Sequence, residues 1–140
     1  MNKDLTLVFS SYQSQHLLTN LLRKFDKKYR IIVIENSLDL SIKQLFEKKF
    51  KNVNVIIPKK NLGLAKSYNL GIKKAKTKFV FLNNPDMIID DKSIKGLIHC
   101  AKKIKRFGAI SPAFKKENIY KNYKIFNKKK KSKIKIFQKI

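Results

Sequence analysis

Short apolar runs alternate along the chain with helical stripes, and a turn or capping residue marks each change of period. Leu5-Thr6-Leu7-Val8-Phe9 reads as a first strand, and behind Ser14, a candidate N-cap, Leu17, Leu18, Leu21, Leu22 and Phe25 line one helical face. Tyr29 to Ile34 is a second strand, with the near-continuous apolar run expected of a strand covered on both faces. Ile42, Leu45, Phe46 and Phe50 make the next stripe behind Asp39 or Ser41, and Val53 to Ile57 is a third strand stopped by Pro58. A helix from Leu64 to Ala75 precedes a fourth strand, Lys78 to Leu82. Asp90 or Asp91 then caps a long helix carrying Ile94, Leu97, Ile98, Ala101 and Ile104, which Gly108 ends.

This order predicts an α/β fold with a mostly parallel sheet, right-handed crossovers and helices on both faces. Ligands of such sheets bind beyond the carboxyl ends of the strands. Those positions are Ser10-Ser11-Tyr12, Glu35-Asn36-Ser37, Pro58 to Gly63, and Asn83-Asn84-Pro85-Asp86. From Lys115 the periodicity dissolves, so the domain is expected to span residues 1–114, with 115–140 a Lys-rich, irregular tail.

Length and composition narrow the picture. At 140 residues the chain has room for one domain, and its 43% hydrophobic and 11% aromatic content argues for a folded core. A net charge of +25 favours anionic partners. Yet 31 of the 34 cations are Lys, whereas base readout prefers Arg, and Lys, Ile and Asn together reach 61 residues, as an AT-rich coding sequence would produce. Nucleic acid is therefore disfavoured as a partner, with an RNA-binding arm around Tyr120, Tyr123 and Phe126 kept as the alternative. The lone Cys100 allows no internal disulfide and no CxxC site. No apolar run nears the roughly 18 residues of a membrane span, and Met1-Asn2-Lys3-Asp4 does not open a signal peptide. The expectation is a cytoplasmic protein whose basic surface could rest on anionic lipid at the inner face of the membrane.

Two stretches carry candidate chemistry. Asn61-Leu62-Gly63-Leu64-Ala65-Lys66-Ser67-Tyr68-Asn69-Leu70-Gly71 runs from a strand end into a helix. Gly63 would admit close approach of a ligand, and the helix start would offer N–H groups to a phosphate; equally, this is a tight turn with Gly71 packed on a neighbour. Leu82-Asn83-Asn84-Pro85-Asp86-Met87 ends the fourth strand. Asp86 there could hold a divalent cation completed by substrate phosphates and water, or serve only as a turn residue. His16 and His99 lie on helices with no partner suggested by spacing.

Taken in order from Leu5 to about Phe114, these motifs resemble the nucleotide-sugar glycosyltransferases of family 2. Ser11-Tyr12 stands where that family usually has Thr-Tyr-Asn, and Val33-Ile34-Glu35-Asn36-Ser37 with Asp39 is similar to V-V-D-N-x-S-x-D. The stretch Asn61 to Gly71 is similar to N-x-G-x-a-x-a-x-N-x-G, and Asn84-Pro85-Asp86 to the N-P-D variant of the D-x-D metal motif in rhamnosyltransferase-like members. The resemblance implies a GT-A, Rossmann-like nucleotide-binding half that takes a nucleotide-sugar donor. Ser11, Tyr12, Glu35, Asn36, Asp39, Asn61, Gly63, Asn69 and Asn84 would bind the donor, and Asp86 would hold Mg²⁺ or Mn²⁺. It implies that Glu35 accepts the imino N–H of uracil or thymine and that Tyr12 lies against the base; a solvated strand end remains open for Glu35. The acceptor would be a saccharide or lipid-linked. The catalytic base of an inverting transfer is unassigned, because Glu117 is the sole acid after Asp91. The expectation is thus a donor-binding half, cut short or diverged, with a noncatalytic binding remnant as the alternative.

Overall fold

A computed structural model describes residues 2–25, 27–104, 107–111 and 137–138. Strands β1 (Leu5–Ser11), β2 (Arg30–Glu35), β3 (Val53–Ile56) and β4 (Phe79–Asn83) alternate with helices α1 (Gln15–Lys24), α2 (Leu40–Lys49), α3 (Gly63–Lys74) and α4 (Asp91–Lys103). A two-residue strand β5 (Phe137–Gln138) completes a sheet of order β3-β2-β1-β4-β5. The first four strands are parallel and β5 runs antiparallel to β4. The α/β expectation holds. The tail was expected to be irregular, and it supplies β5; its other residues, Tyr120, Tyr123, Phe126 and Glu117 among them, lie outside the described residues.

The two faces of the sheet are covered unequally. Leu7, Phe9, Ile31, Val33, Val55, Phe79 and Phe81 pack under the apolar stripes of α1, α2 and α4. The opposite face buries Val8, Ile32, Ile34 and Val80 beneath α3. There a Cβ on Gly71 would stand 2.2 Å from Val8 Cγ1, so only glycine lets α3 lie this close to β1.

Several boundaries shift for local reasons. Asp39 and Asp90, rather than Ser41 and Asp91, cap α2 and α4, accepting from the N–H groups of Ser41 and Ser93. Ser14 sits at the α1 N-cap but its hydroxyl donates to Tyr12 O instead of capping. Helix α4 stops at Lys103, with Ile104 already extended and 45% exposed, so Gly108 lies beyond the helix. Leu45, expected in the α2 stripe, is exposed.

Strand β3 is a sheet edge, and α2 shields it. Lys43 Nζ donates to Val55 O at 2.7 Å, while Glu47 Oε1 accepts from Val55 N–H and from Lys43, each at 2.8 Å. The ion pair thus occupies backbone groups that would otherwise template another strand. Burial pushes the Glu47 carboxyl up, but its bonds to Lys43 and Val55 outweigh this and hold it below the usual carboxylate range.

Candidate active site at the carboxyl edge

Parallel register places Ser11 opposite Glu35 and Phe9 opposite Asn83, so the ends of β1, β2 and β4 meet along one edge. Glu35 is fully buried, which removes the reading of it as a solvated strand end. Its Oε1 accepts from Ser37 N–H at 3.0 Å, whereas Oε2 has no hydrogen-bond partner among the described residues. Ser11 Oγ, Ser37 Oγ and Asn83 Nδ2 are likewise buried and unpartnered. An unmade hydrogen bond at a buried polar atom costs about 1–3 kcal/mol, so four of them on adjoining strand ends and loops are what a polar ligand would satisfy.

Asn36 builds the wall behind them. Its backbone N–H donates to Ser11 O at 2.8 Å, its Nδ2 donates to Ser67 Oγ at 3.0 Å, and its Oδ1 accepts from Leu62 N–H at 3.0 Å. Ser67 in turn donates to Gly63 O at 2.6 Å. One buried side chain therefore joins β1, β2 and the start of α3. Asn61 Oδ1 accepts from Gly63 N–H at 2.8 Å, and Gly63 has φ +67°, a left-handed conformation suited to glycine. The N–H groups of Leu62 and Gly63 are thus already taken by side chains at the helix start that a phosphate was expected to use.

At the end of β4, Met87 N–H donates to Asn84 O at 3.2 Å and closes a turn across Pro85 and Asp86. Tyr68, from α3, donates its phenol O–H to Asn84 Oδ1. Burial, and then the nearby Asp86 charge, push that phenol up to about 12. Asp86 is exposed, and no hydrogen bond engages its carboxylate among the described residues. No three His, Cys, Asp or Glu residues gather among the described residues, so a metal here would take one carboxylate from Asp86 and the rest of its shell from phosphates and water. A hard oxygen donor on an accessible turn fits Mg²⁺ or Mn²⁺.

The remaining expected positions are arranged differently. Tyr12 is 56% exposed at the end of β1. Asp39 is an exposed helix cap, its carboxyl held below the usual range by its hydrogen bonds to Ser41. Asn69 is exposed on α3, outside the Asn36 network. His16 and His99 are exposed on helices. Four residues enter that the sequence reading did not single out as site residues: Ser37, Ser67, Tyr68 and Asn83. Ser67 and Gly71, small residues one helical turn apart, could have marked the face of α3 that meets the sheet; nothing local marked Tyr68 or Asn83.

A cleft of about 340 Å³ lies elsewhere, at the amino ends of β1, β2 and β3, lined by Arg30, Lys51, Lys74 and Lys76 with Thr6 and Asn52. No helix among the described residues is long and apolar enough to cross a membrane.

Comparison with known proteins fits this geometry. Among solved structures, S. aureus TarS residues 1–349 superpose with a TM-score of 0.56 at 20% identity, over 71% of this chain and 32% of that one. The same protein has been solved with UDP-GlcNAc. The Pyrobaculum calidifontis mannosyltransferase PcManGT, solved with GDP-Man and Mn²⁺, reaches 0.68 at 12% identity, over 84% of this chain and 37% of that one. These similarities establish the GT-A fold, and the chain spans about a third of the length of those structures. No curated protein matches the chain individually. The sequence profile of glycosyl transferase family 2 matches residues 14–139, from the start of α1 through β5, and the chain belongs to that family.

Proposed function

We propose that the carboxyl edge binds a uridine or thymidine diphosphate sugar with Mg²⁺ or Mn²⁺, for inverting transfer of the sugar to a saccharide or lipid-linked acceptor. The observation that carries this reading is the fully buried Glu35, with Oε1 engaged by Ser37 and Oε2 unpartnered. A single open carboxylate oxygen suits the one imino N–H of uracil or thymine. Guanine presents two adjacent donors, and cytosine has no proton at that ring nitrogen. Ser11 Oγ and Ser37 Oγ, both buried, have capacity left for further polar atoms of the nucleoside.

Asp86 would hold the metal, and a bound divalent ion neutralises charge that grows on a departing diphosphate. Asn36 ties the end of β2 to the start of α3, and the Asn84 to Met87 turn carries Asp86 after β4, on the other side of β1 from Glu35. A second reading, donor binding without transfer, is favoured by the state of the acids that follow β2 and β4 along the chain. Asp39 and Asp90 are helix caps, and Asp91 accepts from Tyr29 and pairs with Lys95. None of the three is placed to deprotonate an acceptor.

Thermal unfolding with a set of nucleoside diphosphates tests the reading. At about 100 times its dissociation constant, UDP or dTDP should add about 2.7 kcal/mol of stability, only with Mg²⁺ or Mn²⁺ present. CDP and GDP should add much less, and Asp86→Ala should remove the metal-dependent part. Equal stabilisation by all four nucleotides, or stabilisation unchanged by a chelator, would contradict it. A transfer assay on the same protein separates catalysis from binding alone.

A further inference from the structure

Two consecutive residues of α3 reach two different parts of the edge. Ser67 is buried and bonded to Asn36, next to Glu35, and Tyr68 donates to Asn84, two residues before Asp86. We propose that Tyr68 is a positioning residue for the divalent ion: its hydrogen bond to Asn84 fixes the turn that carries Asp86, and so sets metal-dependent affinity for the nucleotide. The inference rests on the donor-site reading above and assigns a role to a residue outside it.

Three observations carry the argument. The backbone closes the turn with one bond of 3.2 Å, near the long end of the normal range, so a side-chain anchor matters there. Tyr68 is the partner that holds the Asn84 side chain, while Asp86 is exposed with no hydrogen bond among the described residues. Helix α3 is itself fixed in place, because Gly71 packs directly on Val8 and Ser67 is tied to Asn36. A rigid helix therefore sets the spacing between the carboxylate that faces the base and the one that faces the metal. An amide at position 84 suits this device. It accepts from the phenol while staying neutral, which leaves Asp86 as the single charge of the turn.

The test is calorimetric titration of the full chain with UDP plus Mn²⁺, with UDP plus chelator, and with uridine. Wild type is compared with Tyr68→Phe, Asn84→Ala and the double variant. Tyr68→Phe should weaken UDP binding in Mn²⁺ by about tenfold and leave uridine binding and the melting temperature close to wild type. The double variant should bind no more weakly than the weaker single one, since both remove one bond. Three results would overturn the proposal: wild-type affinity in Tyr68→Phe, equal loss of uridine binding, or losses that add in the double variant. If wild type itself shows no metal-dependent UDP binding, the donor-site reading fails, a different result from a wild type that binds alongside an unaffected Tyr68→Phe.

Discussion

The two ends of the sheet are chemically opposite. At the amino end every helix of the α/β repeat finishes on two cations: Arg23 and Lys24, Lys48 and Lys49, Lys73 and Lys74, Lys102 and Lys103. There they complement the negative ends of the helix dipoles. Asp4 at that end pairs with Lys102 at 2.6 Å. At the carboxyl end stand Glu35, Asp39 and Asp86, whereas Asp91, at the start of α4, accepts from Tyr29 just before β2, and Lys24 reaches Ile89 O beside Asp90. Four of the five unpartnered buried polar side-chain atoms among the described residues lie at the carboxyl end too, the fifth being Asn52 Oδ1 at the amino-end cleft. Exposed Tyr12, Leu38, Leu40, Leu64, Met87 and Ile88 are on the loops and helix starts of the carboxyl end, and Gln13 and Leu38 adopt positive φ. A left-handed non-glycine residue costs roughly 1–2 kcal/mol, which the amino end incurs only at Lys27 among the described residues. Net charge and cavity volume point to one end of the sheet, and the proposed site lies at the other. Lysines dominate the count and line the cleft, yet unmet hydrogen bonds and backbone strain collect where ligands of parallel sheets bind.

The contrast breaks most sharply at Asn36. Asn36→Ala would strip the carboxyl edge of its shared clamp and leave the part-buried Leu62 N–H unsatisfied. At about 1–3 kcal/mol per group, we expect a loss near 3 kcal/mol in denaturant unfolding, together with loss of nucleotide binding. Unchanged stability would mean that α3 and the strand ends are held by packing alone.

A smaller change at Glu35 sharpens the comparison within the site. Glu35→Gln should weaken UDP by about 2 kcal/mol, the value of a hydrogen bond to a charged group, and leave pyrophosphate binding almost unaltered. The amide can turn its NH₂ toward the base, so the loss belongs to base recognition. Competition titrations with the two ligands read the difference, and parallel losses would assign Glu35 to folding.

The smallest effect is expected at the amino end. Reversing Lys51 or Lys76 to Glu changes an exposed residue and should move stability by no more than about 0.5 kcal/mol, with UDP affinity unchanged. A severalfold loss of UDP affinity at low salt would show that the cationic cleft takes part in nucleotide binding.

Period and punctuation made the fold legible. The covered run from Ile31 to Ile34 marked an inner strand, Pro58 closed the third, and Asp39 and Asp90 were among the proposed caps. The helix α4 terminus was misjudged because Gly108 is the obvious stop, whereas Ile104 leaves the helix on its own. The site was legible only in outline. Residues after each strand could be named, but what each does depends on partners 16 to 31 positions away, such as Tyr68 with Asn84 and Asn36 with Ser67. Gly71 was readable as a packing residue, and its contact with Val8 is what fixes those distant pairs. Strand β5 left no periodic trace, since two residues are too short to show one.

The central claim is that the nucleotide binds at the carboxyl edge and not in the cationic cleft. Amide chemical-shift mapping of the labelled chain, titrated with UDP and Mg²⁺, tests it most directly. The account predicts the largest shifts at Ser11, Glu35 to Ser37, Asn61 to Gly63 and Asn84 to Asp86, with Arg30, Lys51, Lys74 and Lys76 unmoved. Shifts concentrated on those four cations, with the strand ends silent, would contradict it.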